Sequence, residues 1–108
     1  LYEKVREELT DFTVIRATSP LDHTSLWIEV FPLDVSKGKS ASWLASFFHV
    51  KREDTLAIGN DYNDLDLLSW VQHGYVVDNS PRDLKTLFPS VASHNHCGFS
   101  EAVFRWLA

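Results

Sequence analysis

The fold of this 108-residue chain is decided by the stretch Thr55–Leu68, which reads TLAIGNDYNDLDLL. A short apolar run comes first, long enough for a buried strand, and Gly59 ends it. A polar loop follows, and apolar residues return at helical spacing from Leu65 onward. The pattern therefore predicts a strand, a tight glycine turn, a polar loop and a helix.

The polar loop has the composition of a metal or phosphate site. Within five residues it holds two carboxylates, Asp61 and Asp64, and two carboxamides, Asn60 and Asn63. Magnesium prefers hard oxygen ligands of this kind, with water or phosphate completing its shell. Asn and Asp are also common in plain turns and at helix N-caps, so the residues alone leave both interpretations open. An EF-hand does not fit, because Asp66 stands where that loop requires glycine.

Composition and charge are those of an ordinary globular protein. Hydrophobic residues make up 44% of the chain and charged residues 23%, and the length suits one small domain. The net charge of −5 argues against a nucleic-acid partner or an anionic membrane surface. No apolar run approaches the roughly 20 residues of a membrane span, and no signal peptide is visible. The single cysteine, Cys97, excludes an internal disulfide and favours a reducing compartment, so a cytoplasmic location is expected.

The order of predicted elements changes near Pro32–Asp34. Before that point the sequence predicts a short helix and two strands that pair as an antiparallel hairpin, with Phe12, Val14 and either Ala17 or Ile15 buried. After it, helices and strands alternate, which is typical of an α/β fold with a parallel sheet. The expected helices cover residues 2–10, 41–50, 63–71, 81–87 and 99–107, and the expected strands 12–18, 26–31, 55–58, 74–77 and 90–92.

Lys37 is a candidate anion-binding residue. It stands where a loop enters a predicted helix, and a positive charge there opposes the helix dipole unless an anion uses it. The alternative is a solvated surface lysine. The following Gly38-Lys39-Ser40 invites a P-loop interpretation, but the first glycine of that motif would fall at Leu33, which disfavours it.

A further cluster of chemically active side chains lies near the end of the chain. His94, His96 and Cys97 stand within four residues of one another. A structural zinc site normally draws on a second pair of ligands elsewhere in the sequence, and this cluster has none. We therefore expect an ordinary loop near the mouth of the site.

These motifs, taken in order, resemble the haloacid dehalogenase (HAD) superfamily, and more narrowly its Cof-type, sugar-phosphatase-like branch. The resemblance rests on Lys37-Gly38 after Val-Ser, on Gly59–Asp64, and on Asn79 with Pro81, and it covers nearly the whole chain. It implies that residues 1–33 are the last helix and hairpin of an α/β cap domain. Residues 34–108 would form the second half of a Rossmann-like core. The four tryptophans are then expected to make core or cap contacts.

The resemblance also implies roles for individual residues. Lys37 would be catalytic, binding the substrate phosphate and steadying an aspartyl-phosphate intermediate. Asp64 matches the family's Mg²⁺ ligand, and either Asn60 or Asp61 would supply a second, because the usual Gly-Asp is Gly59-Asn60 here. On this topology Lys37 and the loop should converge at the carboxyl ends of the parallel strands.

Asn63 and Asn79 complete the expected phosphate-binding set, and a small phosphorylated metabolite such as a sugar phosphate is the implied substrate. The family's nucleophile, however, begins an Asp-x-Asp-x-Thr motif that this sequence lacks. We therefore expect the C-terminal part of a phosphatase, inactive alone and binding Mg²⁺ only at roughly millimolar concentrations or above. The alternative is a catalytically inactive phosphate- or metal-binding module that forms a homo-oligomer over an open sheet edge.

Overall fold

The computed structural model describes all 108 residues and begins with a helix and a hairpin. Helix α1 covers Tyr2–Glu8, and strands β1 (Phe12–Thr18) and β2 (Leu26–Pro32) pair in antiparallel register. The predicted hairpin is confirmed. The expectation that Phe12 is buried is wrong, because Phe12 lies opposite Pro32 at the open end of the hairpin and is 45% exposed.

The second half of the chain forms a three-stranded parallel sheet. Its strands are β3 (Leu56–Gly59), β4 (His73–Val77) and β5 (Ser90–Val91), in the spatial order β3-β4-β5. Gly59 lies opposite Val76, so β3 and β4 end side by side. Strand β3 has no neighbour on its other side, which leaves its backbone edge open.

Helices flank this sheet and enclose two small cores. They are α2 (Lys37–Phe47), α3 (Leu65–Trp70), α4 (Arg82–Leu87) and α5 (Gly98–Leu107). Residues of α3 and α4 pack with β3 and β4 in one core, while Ala102 of α5 packs with β4 and β5 in the other. The α/β class with helices flanking a parallel sheet is therefore confirmed. The two cores consist of Ala57, Leu68, Val71, Val76 and Leu84, and of Val77, Val91 and Ala102.

Helix α2 begins earlier than predicted and leaves its apolar face uncovered. It starts at Lys37 rather than at residue 41, because the Ser36 side chain accepts a hydrogen bond from the Lys39 N–H and caps the helix there. Trp43 and Phe47 stack with their ring centroids 5.6 Å apart, yet they are 66% and 64% exposed. The expectation of a core or cap contact is therefore wrong for Trp43.

The boundary predicted between residues 33 and 34 falls between the two sheets, which share no strand. Whether the two parts are separate domains stays a prediction. No helix in the chain combines the length and the apolar character needed to cross a membrane.

Candidate active site

Lys37 and Asp64 meet at the carboxyl edge of the parallel sheet. The Lys37 Nζ donates to Asp64 Oδ1 at 2.7 Å, although 27 residues separate the two in sequence. Lys37 is the first residue of α2, and Asp64 ends a single 3₁₀ turn that follows β3. The Lys37 side chain is 48% exposed and the Asp64 side chain only 15%. The pair therefore combines an accessible cation with a carboxylate fixed by its surroundings.

Asp64 is held over the end of β3 by backbone contacts that depend on glycine. Its Oδ2 accepts a hydrogen bond from the Asn60 N–H at 3.0 Å. A Cβ added at Gly59 would lie 2.7 Å from Asp64 Cβ and 2.9 Å from Leu68 Cδ1. Only a residue without a side chain lets Asp64 fold back this closely, which explains why the strand ends in glycine.

Asp66 connects α3 to the start of α2. Its Oδ2 accepts a hydrogen bond from the Gly38 N–H at 2.7 Å, and a Cβ at Gly38 would lie 2.7 Å from that same oxygen. Sequence reasoning gave Asp66 no role here, although a carboxylate in the first turn of a helix two residues after Asp64 was a visible signal. The contact fixes Lys37 beside the acidic loop.

The P-loop interpretation finds no support in this arrangement. The Gly38 N–H, which would face a nucleotide phosphate, already donates to a carboxylate. The Lys39 Nζ donates to the Leu33 carbonyl at 2.7 Å. Lys37 is therefore the lysine directed to the loop.

Asp61 faces away from Lys37. Its Oδ2 accepts from the Thr18 N–H of β1 at 2.7 Å, and its Oδ1 accepts from the Tyr62 N–H at 2.7 Å. Asp61 is only 7% exposed, and both of its carboxylate oxygens accept hydrogen bonds from backbone amides. The structure thus separates the two carboxylates of the loop, with Asp64 beside Lys37 and Asp61 beside the hairpin.

Tyr62 strengthens the junction between the loop and the hairpin. The Arg16 guanidinium of β1 lies 4.1 Å from the Tyr62 ring centroid and 5.6 Å from that of Tyr2. The Tyr62 hydroxyl donates to the Asp83 carboxylate at 2.9 Å. This hydrogen bond, with burial adding to it, raises the pKa of Tyr62 above its ordinary value. The turn that carries Asp64 is therefore anchored to β1 and to α4.

Asn63 lies on the hairpin side of the loop. It lines an open groove of about 680 Å³ between the α1–β1 segment and the start of α3. Its Oδ1 is buried and has no hydrogen-bond partner. No hydrogen bond joins the Asn63 side-chain oxygen to Lys37.

Asn79 follows β4 and holds His94, which follows β5. The Asn79 Oδ1 accepts from the His94 backbone N–H at 3.3 Å, and the Asn79 Nδ2 lies 2.8 Å from His94 Nδ1. His96 is bonded instead to the Ser93 hydroxyl through Nδ1, at 2.7 Å. His94 also lines a cleft of about 260 Å³ with Asn60. Sequence reasoning considered His94 only as a zinc ligand or a loop residue and missed its bond to Asn79.

Lys37 and Asp64 lie at the carboxyl ends of parallel strands, where α/β proteins bind their ligands. A lysine there suits a phosphoryl group, and a carboxylate suits a hard cation. A model of the haloacid dehalogenase-like hydrolase family matches residues 2–103. The chain belongs to this family, which confirms the resemblance carried by its motifs.

Individual relatives agree with this assignment. The HMP-PP phosphatase of Serratia proteamaculans is 34% identical over 70 residues, which are 65% of this chain and 26% of that protein. A HAD subclass IIB sugar phosphatase of known structure superposes with a TM-score of 0.81 at 20% identity, over 96% of this chain and 38% of that one. A haloacid dehalogenase-like hydrolase from B. subtilis superposes with a TM-score of 0.75 at 24% identity, over 91% of this chain and 33% of that one. The chain therefore shares their fold and spans about a quarter to two fifths of their length.

Proposed function

We propose that this chain supplies the lysine and the acidic loop of a magnesium-dependent phosphohydrolase that acts on a small phosphorylated metabolite. The contact of 2.7 Å between Lys37 Nζ and Asp64 Oδ1 carries the proposal. Phosphoryl transfer depends mainly on positioning and on stabilising negative charge. In this pair Lys37 is the accessible cation for the phosphate oxygens, and Asp64 orients it.

Magnesium fits one side of this arrangement. Asp64 offers a carboxylate beside Lys37, and the exposed Asn60, whose backbone N–H donates to Asp64, offers a carboxamide; both are hard oxygen donors. Asp61 is less suited, because both of its oxygens already accept from backbone amides. We infer that Asp64 and Asn60 would hold the ion, which would neutralise charge on the phosphate. No three His, Cys, Asp or Glu side chains come together to hold a metal, so this chain would supply only part of the shell.

The nucleophile must come from residues that this sequence does not contain. The chain has no Asp-x-Asp-x-Thr motif. The edge of β3 is open, and its carboxyl end carries Gly59, directly before the loop of Asp64. A parallel strand added at that edge would end beside Lys37 and Asp64. We propose that such a strand brings the nucleophilic aspartate, which forms an aspartyl-phosphate that water then hydrolyses.

The substrate class rests on relatives. One is named as an HMP-PP phosphatase and another as a sugar phosphatase. Both names describe phosphate esters of small metabolites, and we propose a substrate of this class, such as a sugar phosphate. The free, exposed Cys97 fits the reducing cytoplasm expected for such an enzyme.

A complementation assay tests the proposal. The chain alone, with magnesium and a generic aryl phosphate, should show no turnover. Joined to a segment that carries an Asp-x-Asp-x-Thr strand, it should hydrolyse the ester. In that protein Lys37→Ala should lower kcat at least about 100-fold, because it removes charge stabilisation of the transition state.

Lys39→Ala is the matched control. Lys39 lies two residues after Lys37 on the same helix, but its Nζ donates to the Leu33 carbonyl. It should keep nearly full activity. Equal losses in both variants, or magnesium-dependent turnover by the chain alone that Lys37→Ala abolishes, would contradict the proposal.

A second candidate function is a non-catalytic module that self-associates. Trp43, Phe47 and Phe48 form an exposed aromatic cluster on α2, with Phe48 64% exposed, and the β3 edge is open. Both features favour contact with another chain. Sedimentation should then show an oligomer that Trp43→Glu dissociates. The chain should bind phosphate without turning over any ester, even when joined to a segment that carries Asp-x-Asp-x-Thr.

A further inference from the structure

We propose that His94 is a ligand-binding residue of the phosphate site, presenting its Nε2–H to the cleft beside Asn60. The proposal rests on the function proposed above and adds to it a residue that donates a hydrogen bond without carrying charge. It arises from the way Asn79, a candidate phosphate ligand in the sequence, uses its own side chain.

The Asn79 amide fixes the tautomer of His94. Its Oδ1 accepts from the His94 backbone N–H, so its NH₂ group is the end that faces the imidazole. The NH₂ group can only donate, and His94 Nδ1, at 2.8 Å from it, must therefore be the unprotonated ring nitrogen. The neutral ring then carries its proton on Nε2, which becomes a hydrogen-bond donor.

The location of this donor points to the phosphate. His94 lines the cleft of about 260 Å³ together with Asn60 and the ends of β3 and β4. The Asn60 N–H donates to Asp64, which accepts from Lys37, so the cleft adjoins the proposed phosphate position. Phosphate oxygens accept hydrogen bonds from neutral donors as well as from cations.

In this arrangement His94 takes the ligand-binding role that the sequence suggested for Asn79. Asn79 uses its oxygen and one N–H on His94, so it acts as a positioning residue. His94, whose Nε2–H has no partner within the chain, is the one that contacts the ligand.

Nuclear magnetic resonance of the isotope-labelled chain tests this with inorganic phosphate as the probe. The His94 imidazole should show the Nε2–H tautomer, and Asn79→Ala should shift it toward a mixture. Added phosphate should move the His94 ring signals and the Lys37 side-chain signals along one binding curve, whereas chloride at equal ionic strength should not. His94→Phe, which keeps a planar ring but has no donor, should weaken phosphate binding about threefold to tenfold, the value of one hydrogen bond.

His96→Phe is the matched control, because His96 lies in the same turn but bonds to Ser93. It should change phosphate affinity less than about twofold, well below the effect of a lost hydrogen bond. Phosphate that moves Lys37 but not His94, or equal losses in the two variants, would overturn the role of His94 and leave the proposed function intact. Phosphate that moves neither residue would also overturn the role of His94, while the proposed function is decided separately by the complementation assay.

Discussion

The two carboxylates of the acidic loop, Asp61 and Asp64, lie three residues apart and take part in different regions of the molecule. Asp61 belongs to the hairpin-facing region, where it is 7% exposed and bonded to the Thr18 and Tyr62 amides. Asp64 belongs to the site-facing region, where it meets the half-exposed Lys37. In one region the negative charge is satisfied by backbone donors, and in the other by a cation that a ligand can reach.

One short turn therefore has both a structural and a chemical side. The hairpin-facing side anchors the turn through β1 and α4, and that anchoring holds the site-facing side in place. Substitutions on the first side should therefore affect stability most, while substitutions on the second should affect ligand binding most.

Asp61→Ala should produce the largest loss of stability. It leaves the partly buried Thr18 and Tyr62 N–H groups without acceptors, which should cost about 3 kcal/mol of the free energy of unfolding. Urea denaturation measures it. Asp64→Asn is the matched variant, because an amide oxygen can still accept from the Asn60 N–H, and it should cost at most about 1 kcal/mol. A larger loss in Asp64→Asn than in Asp61→Ala would reverse the comparison.

Gly59→Ala should cause the next largest loss of stability and should affect both regions. The added methyl would meet Asp64 Cβ at 2.7 Å and Leu68 Cδ1 at 2.9 Å, so the turn must shift. Overpacking of this kind costs about 2 kcal/mol. The shift should also separate Asp64 from Lys37, visible as a change in the Lys37 side-chain resonances. A folded variant with unchanged Lys37 signals would show that the position of Asp64 does not depend on Gly59.

Patterns along the sequence were enough to predict the two sheets, and the resemblance to the HAD superfamily predicted that Lys37 and the acidic loop converge. The glycine after an apolar run marked the end of β3, and alternation of helices and strands marked the parallel order, which brings distant loops to one edge. The start of α2 was missed because its cap is a single serine, Ser36, whose side chain could equally have served a turn.

Side-chain direction could not be predicted in the same way. Asp61 and Asp64 are both acidic loop residues, and only the fold reveals that the Thr18 N–H lies beside one of them, 43 residues away. The exposure of Trp43 also depends on what packs over α2, which its own helical pattern cannot report. The bond between Asn79 and His94 joins two loops whose proximity follows from the pairing of β4 with β5.

Arg16→Gln should cause a moderate loss confined to the hairpin-facing region. It removes a guanidinium that lies 4.1 Å from the Tyr62 ring centroid and 5.6 Å from the Tyr2 ring centroid. The cost should be about 1 kcal/mol at such a partly exposed site. Phosphate affinity measured on the same sample should stay within about twofold, since no cation of the site changes. A clear loss of phosphate affinity would show that the two regions are more tightly coupled than their contacts indicate.

The smallest effect concerns the ionisation of Tyr62. Its pKa is raised chiefly because its hydroxyl donates to the Asp83 carboxylate, with burial adding to the effect. Because the folded pKa exceeds the unfolded one, this hydrogen bond stabilises the fold fully below the unfolded value, about 10. The contribution is lost as the pH rises through the folded pKa. Asp83→Asn removes the negative acceptor, so Tyr62 should ionise at lower pH than in the parent chain. Alkaline titration of the tyrosinate absorbance measures this, with Tyr62→Phe identifying the Tyr62 component. An unchanged midpoint in Asp83→Asn would show that this hydrogen bond does not anchor the turn, leaving Asp61 and Arg16 to hold its hairpin-facing side.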